Sequence, residues 1–158
     1  MTSRATTPLP PDCWLIHCDG TALPNPGRIG VGVVLRAPDG SEHRISRTQG
    51  NGCNNEAEAC ALLLALAEAQ HLGAQCLRLY SDSDVLVQHV AGTAHTAVPR
   101  LAALFAEARD ALAQFRHAEL HWLPRHRNGD ADTLARAVLG LPPKAKRVSK
   151  APRSGRRR

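Results

Sequence analysis

Aromatic side chains are nearly absent: Trp14, Tyr80, Phe105, Phe115 and Trp122 make up 3% of the 158 residues. This disfavours a surface that grips single strands with rows of stacking rings, and it leaves the core to Leu, Val and Ala. Long apolar runs are missing too. The longest, residues 59–67, has nine residues, against the roughly 20 a membrane-spanning helix needs. Residues 1–12 are rich in Thr and Pro and lack the apolar stretch of a secretory signal, so a soluble, cytoplasmic chain with no membrane partner is expected. Cysteine pairs in CxxC spacing are absent. Five cysteines, an odd number, argue against a disulfide framework or a zinc site, and they read as reduced, mostly buried thiols. The eight histidines form no HExxH pattern.

Acids are missing from one region, residues 142–158, which carries eight Lys and Arg. Against a whole-chain charge of +6, that +8 leaves residues 1–141 at −2. The basic character thus belongs to the end of the chain. Rich in Pro and Ser and poor in apolar residues, that end cannot offset the entropy lost on ordering. A disordered tail over residues 142–158 is expected, acting as an arm that holds polyanions by releasing their counter-ions. The remaining 43% hydrophobic content suffices for a single core. This gives a flexible leader over residues 1–12 and one domain over residues 13–141.

Within that domain, residues 14–21, 29–36 and 42–50 read as a three-strand meander with a tight turn at Asp39-Gly40. Residues 54–70 have helix-forming composition, with Asn54 or Asn55 as cap and Gly73 beyond the end. Strands over residues 76–80 and 118–123 alternate with helices over residues 83–90, 98–115 and 128–138. The order βββαβααβα calls for an α/β fold: a five-stranded mixed sheet, an antiparallel meander of three plus two further strands, with helices packed against it.

Four acids fall at the ends of these elements: Asp19 near the end of the first strand, Asp82 just past the fourth, Glu58 and Asp132 in the first turns of two helices. Singly, each has an ordinary role, as a helix cap, a turn residue or a complement to a helix dipole. Converging, they would need cations to stay ionised, and an all-oxygen set favours magnesium or manganese over zinc. Two such ions in one site would serve an in-line phosphoryl displacement.

The sequence resembles ribonuclease H, type 1. The resemblance rests on Asp19-Gly20-Thr21 with Asn25-Pro26-Gly27, on Asn54-Asn55-Glu56-Ala57-Glu58, on Ser81-Asp82-Ser83, and on Asn128 followed by Ala131-Asp132-Thr133-Leu134-Ala135. It spans about residues 14–139 and implies a ribonuclease H-like fold and hydrolysis of the RNA strand of RNA/DNA hybrids with magnesium or manganese, leaving 5′-phosphate and 3′-hydroxyl ends. It further implies that Asp19, Glu58, Asp82 and Asp132 are the catalytic metal ligands for two ions, and that Gly20, Asn25, Asn54 and Asn55 contact the substrate. Asparagine amides can both donate and accept in the wide minor groove where the RNA 2′-hydroxyl is displayed. No organic cofactor is implied, and a monomer is expected.

The sequence departs from that pattern in three places. Residues 91–99 lack the Lys- and Trp-rich handle of many bacterial members, and the basic tail is expected to replace its grip. The loop over residues 123–130 is short, leaving Arg125 as a candidate for assisting product release and His126 as an outside candidate. Asp84 stands where Gln is frequent, and solvent exposure is expected for it. Two alternatives stay open: a non-catalytic nucleic-acid-binding module on the same fold, and a related metal-dependent nuclease with another substrate, as in integrases, transposases and junction resolvases.

Overall fold

The second strand sets the architecture. In β2, Gly27–Arg36, residues 29–35 are all buried, so both faces of the strand must be covered. The computed structural model describes residues 8–144. It places β2 between β1, Cys13–Leu23, and β3, Glu42–Gly52, both antiparallel to it. Strand β4, Cys76–Ser81, runs parallel to β1, and β5, His117–Trp122, runs parallel to β4, giving the sheet order β3-β2-β1-β4-β5. The mixed five-stranded sheet expected from the element order is what forms.

One face of the sheet is apolar. Ile16 and Cys18 of β1, Val31, Val33 and Leu35 of β2, and Leu77 and Leu79 of β4 pack there with helix α1, Asn54–His71. That helix contributes Ala57, Ala61, Leu62, Ala65, Leu66 and Ala69, whose spacing of three and four residues makes one continuous stripe. Helix α2, Asp84–Ala91, adds Leu86 and Val90, and α3, Pro99–Ala113, adds Leu101, Phe105 and Ala108. Among the described residues, the opposite face receives only α4, Gly129–Ala137. It sits close because a Cβ on Gly32 would run into the Ala131 carbonyl and one on Gly30 into the Ala135 carbonyl. A 3-10 turn, Arg125–Arg127, precedes α4 within the stretch expected as loop.

Two local expectations need correction. Neither Asn54 nor Asn55 caps α1. Cys53 holds the cap position without a side-chain bond, and the Asn54 N–H is taken by Asn25 Oδ1 at 3.0 Å. A side chain from the β1–β2 turn thus meets a helix-end donor that local sequence leaves orphaned. Nor are all five cysteines thiols: Cys13 and Cys76 form a disulfide. The parallel register places them directly opposite each other, with Cα atoms 4.5 Å apart, a neighbour relation 63 residues removed in sequence that spacing rules do not reach. Residues 1–7 of the expected leader and residues 145–158 of the expected tail lie outside the described residues.

Candidate active site

The site lies where β1 and β4 part. Their parallel ladder ends at the pair His17–Tyr80, yet β1 continues to Leu23 and β4 to Ser81. Beyond that last pair, backbone groups lose their ladder partners and must find others. Asn128 supplies one: its Nδ2 donates to the Cys18 carbonyl at 3.0 Å and to Asp82 Oδ2 at 3.2 Å. Asp19 and Asp82 flank this split, Asp19 within β1 and Asp82 one residue past the end of β4.

Glu58 reaches the split from α1. The approach depends on Gly20, since a Cβ there would occupy the position of the Ala57 carbonyl. With the helix backbone against the strand, the Gly20 N–H donates to Glu58 Oε2 at 3.3 Å. Ligand oxygens of Asp19, Glu58 and Asp82 then lie within 4.8 Å of one another. Asp132, half-buried in the first turn of α4, approaches from the opposite face and hydrogen-bonds Asp19; it stands outside the tighter group of three. Asp82 is not used as a helix cap. Ser83 takes that role, its Oγ accepting from the Leu86 N–H at 3.1 Å, which leaves the Asp82 carboxylate to the cluster.

The crowding shows in the acidities. Burial, then the Asp82 charge and the hydrogen bond with Asp132, push the Asp19 carboxyl up to about 8. Glu58 is held well above the ordinary carboxylate range by burial and by the charges of Asp19 and Asp82. Asp82 is raised mainly by burial, while Asn128 and the charge of Arg125 draw it back. The same burial, with the three acids nearby, keeps the Cys18 thiol protonated well beyond its usual range. Carboxylates in such a group release their protons when a cation arrives to replace them. Their all-oxygen donor set fits magnesium or manganese. Beside them Asn128 Oδ1 is buried without a hydrogen-bond partner, an acceptor whose cost a bound water would relieve.

The asparagines expected at the substrate surround the entrance to α1. Asn54 Oδ1 accepts from the Ala22 N–H at 2.9 Å, and Asn25 Oδ1 accepts from the Asn54 N–H. Both oxygens are thus engaged by backbone donors, which aims their amide nitrogens elsewhere; Asn25, Asn54 and Asn55 are all exposed. Gly20 serves the packing of α1 rather than an exposed surface, since it is buried. Glu56 pairs with Arg100 at 3.4 Å and does not join the cluster. Arg125 and His126 are exposed on the 3-10 turn. The Arg125 charge acts on Asp82; among the described residues, His126 makes no hydrogen bond or ion pair. Asp84 is exposed and accepts from Gln88 at 3.4 Å. Two residues near the acids carried no role in the sequence reading. Asn128, ahead of a helix, looks like a cap, but at the cap position its side chain turns inward and makes no cap bond. Lys144 counted only as tail charge, yet its Nζ lies 3.7 Å from Asp132 Oδ1.

Residues 17–138 match the family model described as reverse transcriptase-like. A bifunctional protein of Mycobacterium tuberculosis is 35% identical over 127 residues, covering 79% of this chain and 35% of its own length; the chain thus spans about a third of that relative. Ribonuclease HI of Halobacterium salinarum is 34% identical over 124 residues, covering 78% of this chain and 62% of its own length. The solved ribonuclease H1 from that archaeon superposes with a TM-score of 0.78 at 32% identity, covering 81% of this chain and 98% of that one. LC11 ribonuclease H1, solved in complex with an RNA/DNA hybrid, gives a TM-score of 0.73 at 28% identity, covering 80% and 96%. With the family model spanning the sheet and α1 to α4, and these relatives sharing the fold, the chain belongs to the reverse transcriptase-like family, among the type 1 ribonucleases H.

Proposed function

We propose that this protein is an endoribonuclease that hydrolyses the RNA strand of RNA/DNA hybrids, using two magnesium or manganese ions and leaving 5′-phosphate and 3′-hydroxyl ends. The observation that carries this reading is the meeting of Asp19, Glu58 and Asp82 within 4.8 Å at the split between β1 and β4, in a chain whose relatives include ribonucleases H. One of those relatives has been solved on an RNA/DNA hybrid.

Asp19, Glu58, Asp82 and Asp132 would hold the ions. When bound, the ions supply an activated water on one side of the scissile phosphate and charge neutralisation for the leaving oxygen on the other. The chain's own contribution is position. Gly20 lets α1 deliver Glu58, Ser83 frees Asp82 from capping, and Asn128 ties Asp82 to the β1 backbone. The amide nitrogens of Asn25, Asn54 and Asn55 form a donor set on the adjacent surface, suited to the acceptors and 2′-hydroxyls of a wide minor groove. Arg125, exposed beside Asp82, is placed to attract the 5′-phosphate product and assist its release, with His126 as a further candidate on the same turn. The basic tail would add sequence-independent grip through phosphate contacts. A monomer suffices, since all four acids come from one chain.

The test offers labelled RNA/DNA hybrid, RNA duplex and DNA duplex with magnesium or manganese, beside Asp82→Asn. Cleavage confined to the RNA strand of the hybrid and lost in the variant is the expected result. Equal cleavage of a DNA duplex, or hydrolysis that survives the substitution, overturns the reading.

A further inference from the structure

After α4 the chain doubles back. The N–H groups of Leu139 and Leu141 both donate to the Arg136 carbonyl, at 3.1 and 3.0 Å, and Gly140 between them adopts φ +77°, a left-handed turn that glycine takes without strain. Arg136 Nε then donates to the Pro142 carbonyl at 3.0 Å. This pins the returning segment against the helix it has just left. Pro142 and Pro143 restrict φ along it. The nine residues of α4 rise roughly 14 Å at about 1.5 Å each, a distance that three residues and an extended lysine can retrace. The Lys144 ammonium consequently arrives at the first turn of α4, 3.7 Å from Asp132 Oδ1. Its charge is also felt at Asp82.

We propose that Lys144 is an internal counter-ion that competes with a divalent cation for Asp132. The inference rests on Asp132 being a metal ligand. Lys144 is the ammonium paired with a cluster acid among the described residues, and its side chain is half exposed. Among the described residues, Asp19, Glu58 and Asp82 have no such pairing and meet one another instead. An ammonium on a flexible stem, half exposed, neutralises Asp132 while the site lacks metal, and yields to a doubly charged ion that makes shorter contacts. Competition therefore falls on the ion that needs Asp132 and spares the one held by the other three acids.

Manganese binding to the full-length, substrate-free protein, with free Mn2+ counted by electron paramagnetic resonance, reads this without turnover. Lys144→Gln is expected to tighten the Asp132-dependent ion about two- to fivefold, the scale of an exposed pair, and Lys144→Arg to bind as wild type does. In an Asp132→Asn background, Lys144→Gln is expected to change nothing further. Unchanged or weaker Mn2+ binding by Lys144→Gln overturns the proposal, as does equal tightening with and without Asp132. If Asp132→Asn alone leaves Mn2+ binding intact, the assignment of Asp132 as a ligand fails and takes this inference with it, which separates the two failures.

Discussion

The inner and outer halves of the acid cluster are built on different terms. Asp19 is 4% exposed, on a strand with neighbours on both sides, and Glu58 is fixed by close contact between α1 and β1. Asp132 stands on a nine-residue helix, half-buried, with Lys144 beside it. The inner acids are crowded by the packing around them, which pushes the Asp19 carboxyl up to about 8 and holds Glu58 well above the ordinary carboxylate range. The outer acid already has a cation in a side chain that solvent can replace. Rigidity therefore defines the inner position, and exchange of partners tunes the outer one.

The widest test of this contrast is cleavage of a hybrid with magnesium. Asp19→Asn is expected to lower the rate by at least about a hundredfold, since it removes a buried acid that would hold the ions. Asp132→Asn is expected to cost less, about tenfold, because its loss leaves the inner three acids in place. Equal losses in steady-state assays would erase the distinction between the halves.

Asn128→Ala tests the scaffold shared by both. Its Nδ2 satisfies the Cys18 carbonyl where the ladder ends and holds Asp82. Urea unfolding should show a loss of about 2 kcal/mol, the cost of leaving a buried acceptor unpaired together with a small cavity. A change below measurement error would mean that the split is held by other contacts.

The inner half also predicts a pH dependence whose sign is unusual for an acid. Asp19 rises from 3.8 to about 8 on folding, so the folded state keeps a proton that the unfolded state releases. Its contribution to stability is fully present below pH 3.8 and is lost as pH climbs towards 8. In metal-free protein, Asp19→Asn should accordingly be more stable than wild type at pH 8, by on the order of 1–2 kcal/mol, and show no such gain near pH 4. Thermal or denaturant unfolding at both pH values checks this, and a variant less stable at each would break the account of the inner acids.

The smallest effect concerns the chain beyond the outer half. Ending the protein after Lys144 removes seven positive charges and no negative ones. Metal-free stability should stay within about 0.5 kcal/mol of the full chain, while the slope of log affinity for hybrid against log salt should fall by about one or more, as phosphate contacts are lost. An unchanged slope would remove the tail from substrate binding.

Much of this was legible from one dimension. The apolar run of residues 29–36 and the Ala- and Leu-rich run of residues 54–70 mark out β2 and α1 because apolar strands and helix-forming runs are local signals, and strand ends and helix starts are where acids converge in α/β sheets. Asp82 and Asp84 illustrate the limit. Both sit at the start of α2, and only the hydroxyl of Ser83, seen in place on the Leu86 N–H, shows that neither acid is needed as cap. The same holds for Asn25, whose link to the Asn54 N–H crosses 29 residues, and for Cys13 and Cys76, which only strand register brings together.

By itself, the sequence determined the kinds of element, their order, and the four acids with a chemistry suited to divalent cations, because these depend on side-chain type and local periodicity. Tertiary structure decided which atoms meet. It set the end of the β1–β4 ladder that lets Asp19, Glu58 and Asp82 share one opening, the inward turn of Asn128, and the return of Lys144 to Asp132. Those contacts join residues 38 to 110 positions apart for the inner site and depend on strand register and helix approach, which local pattern does not encode.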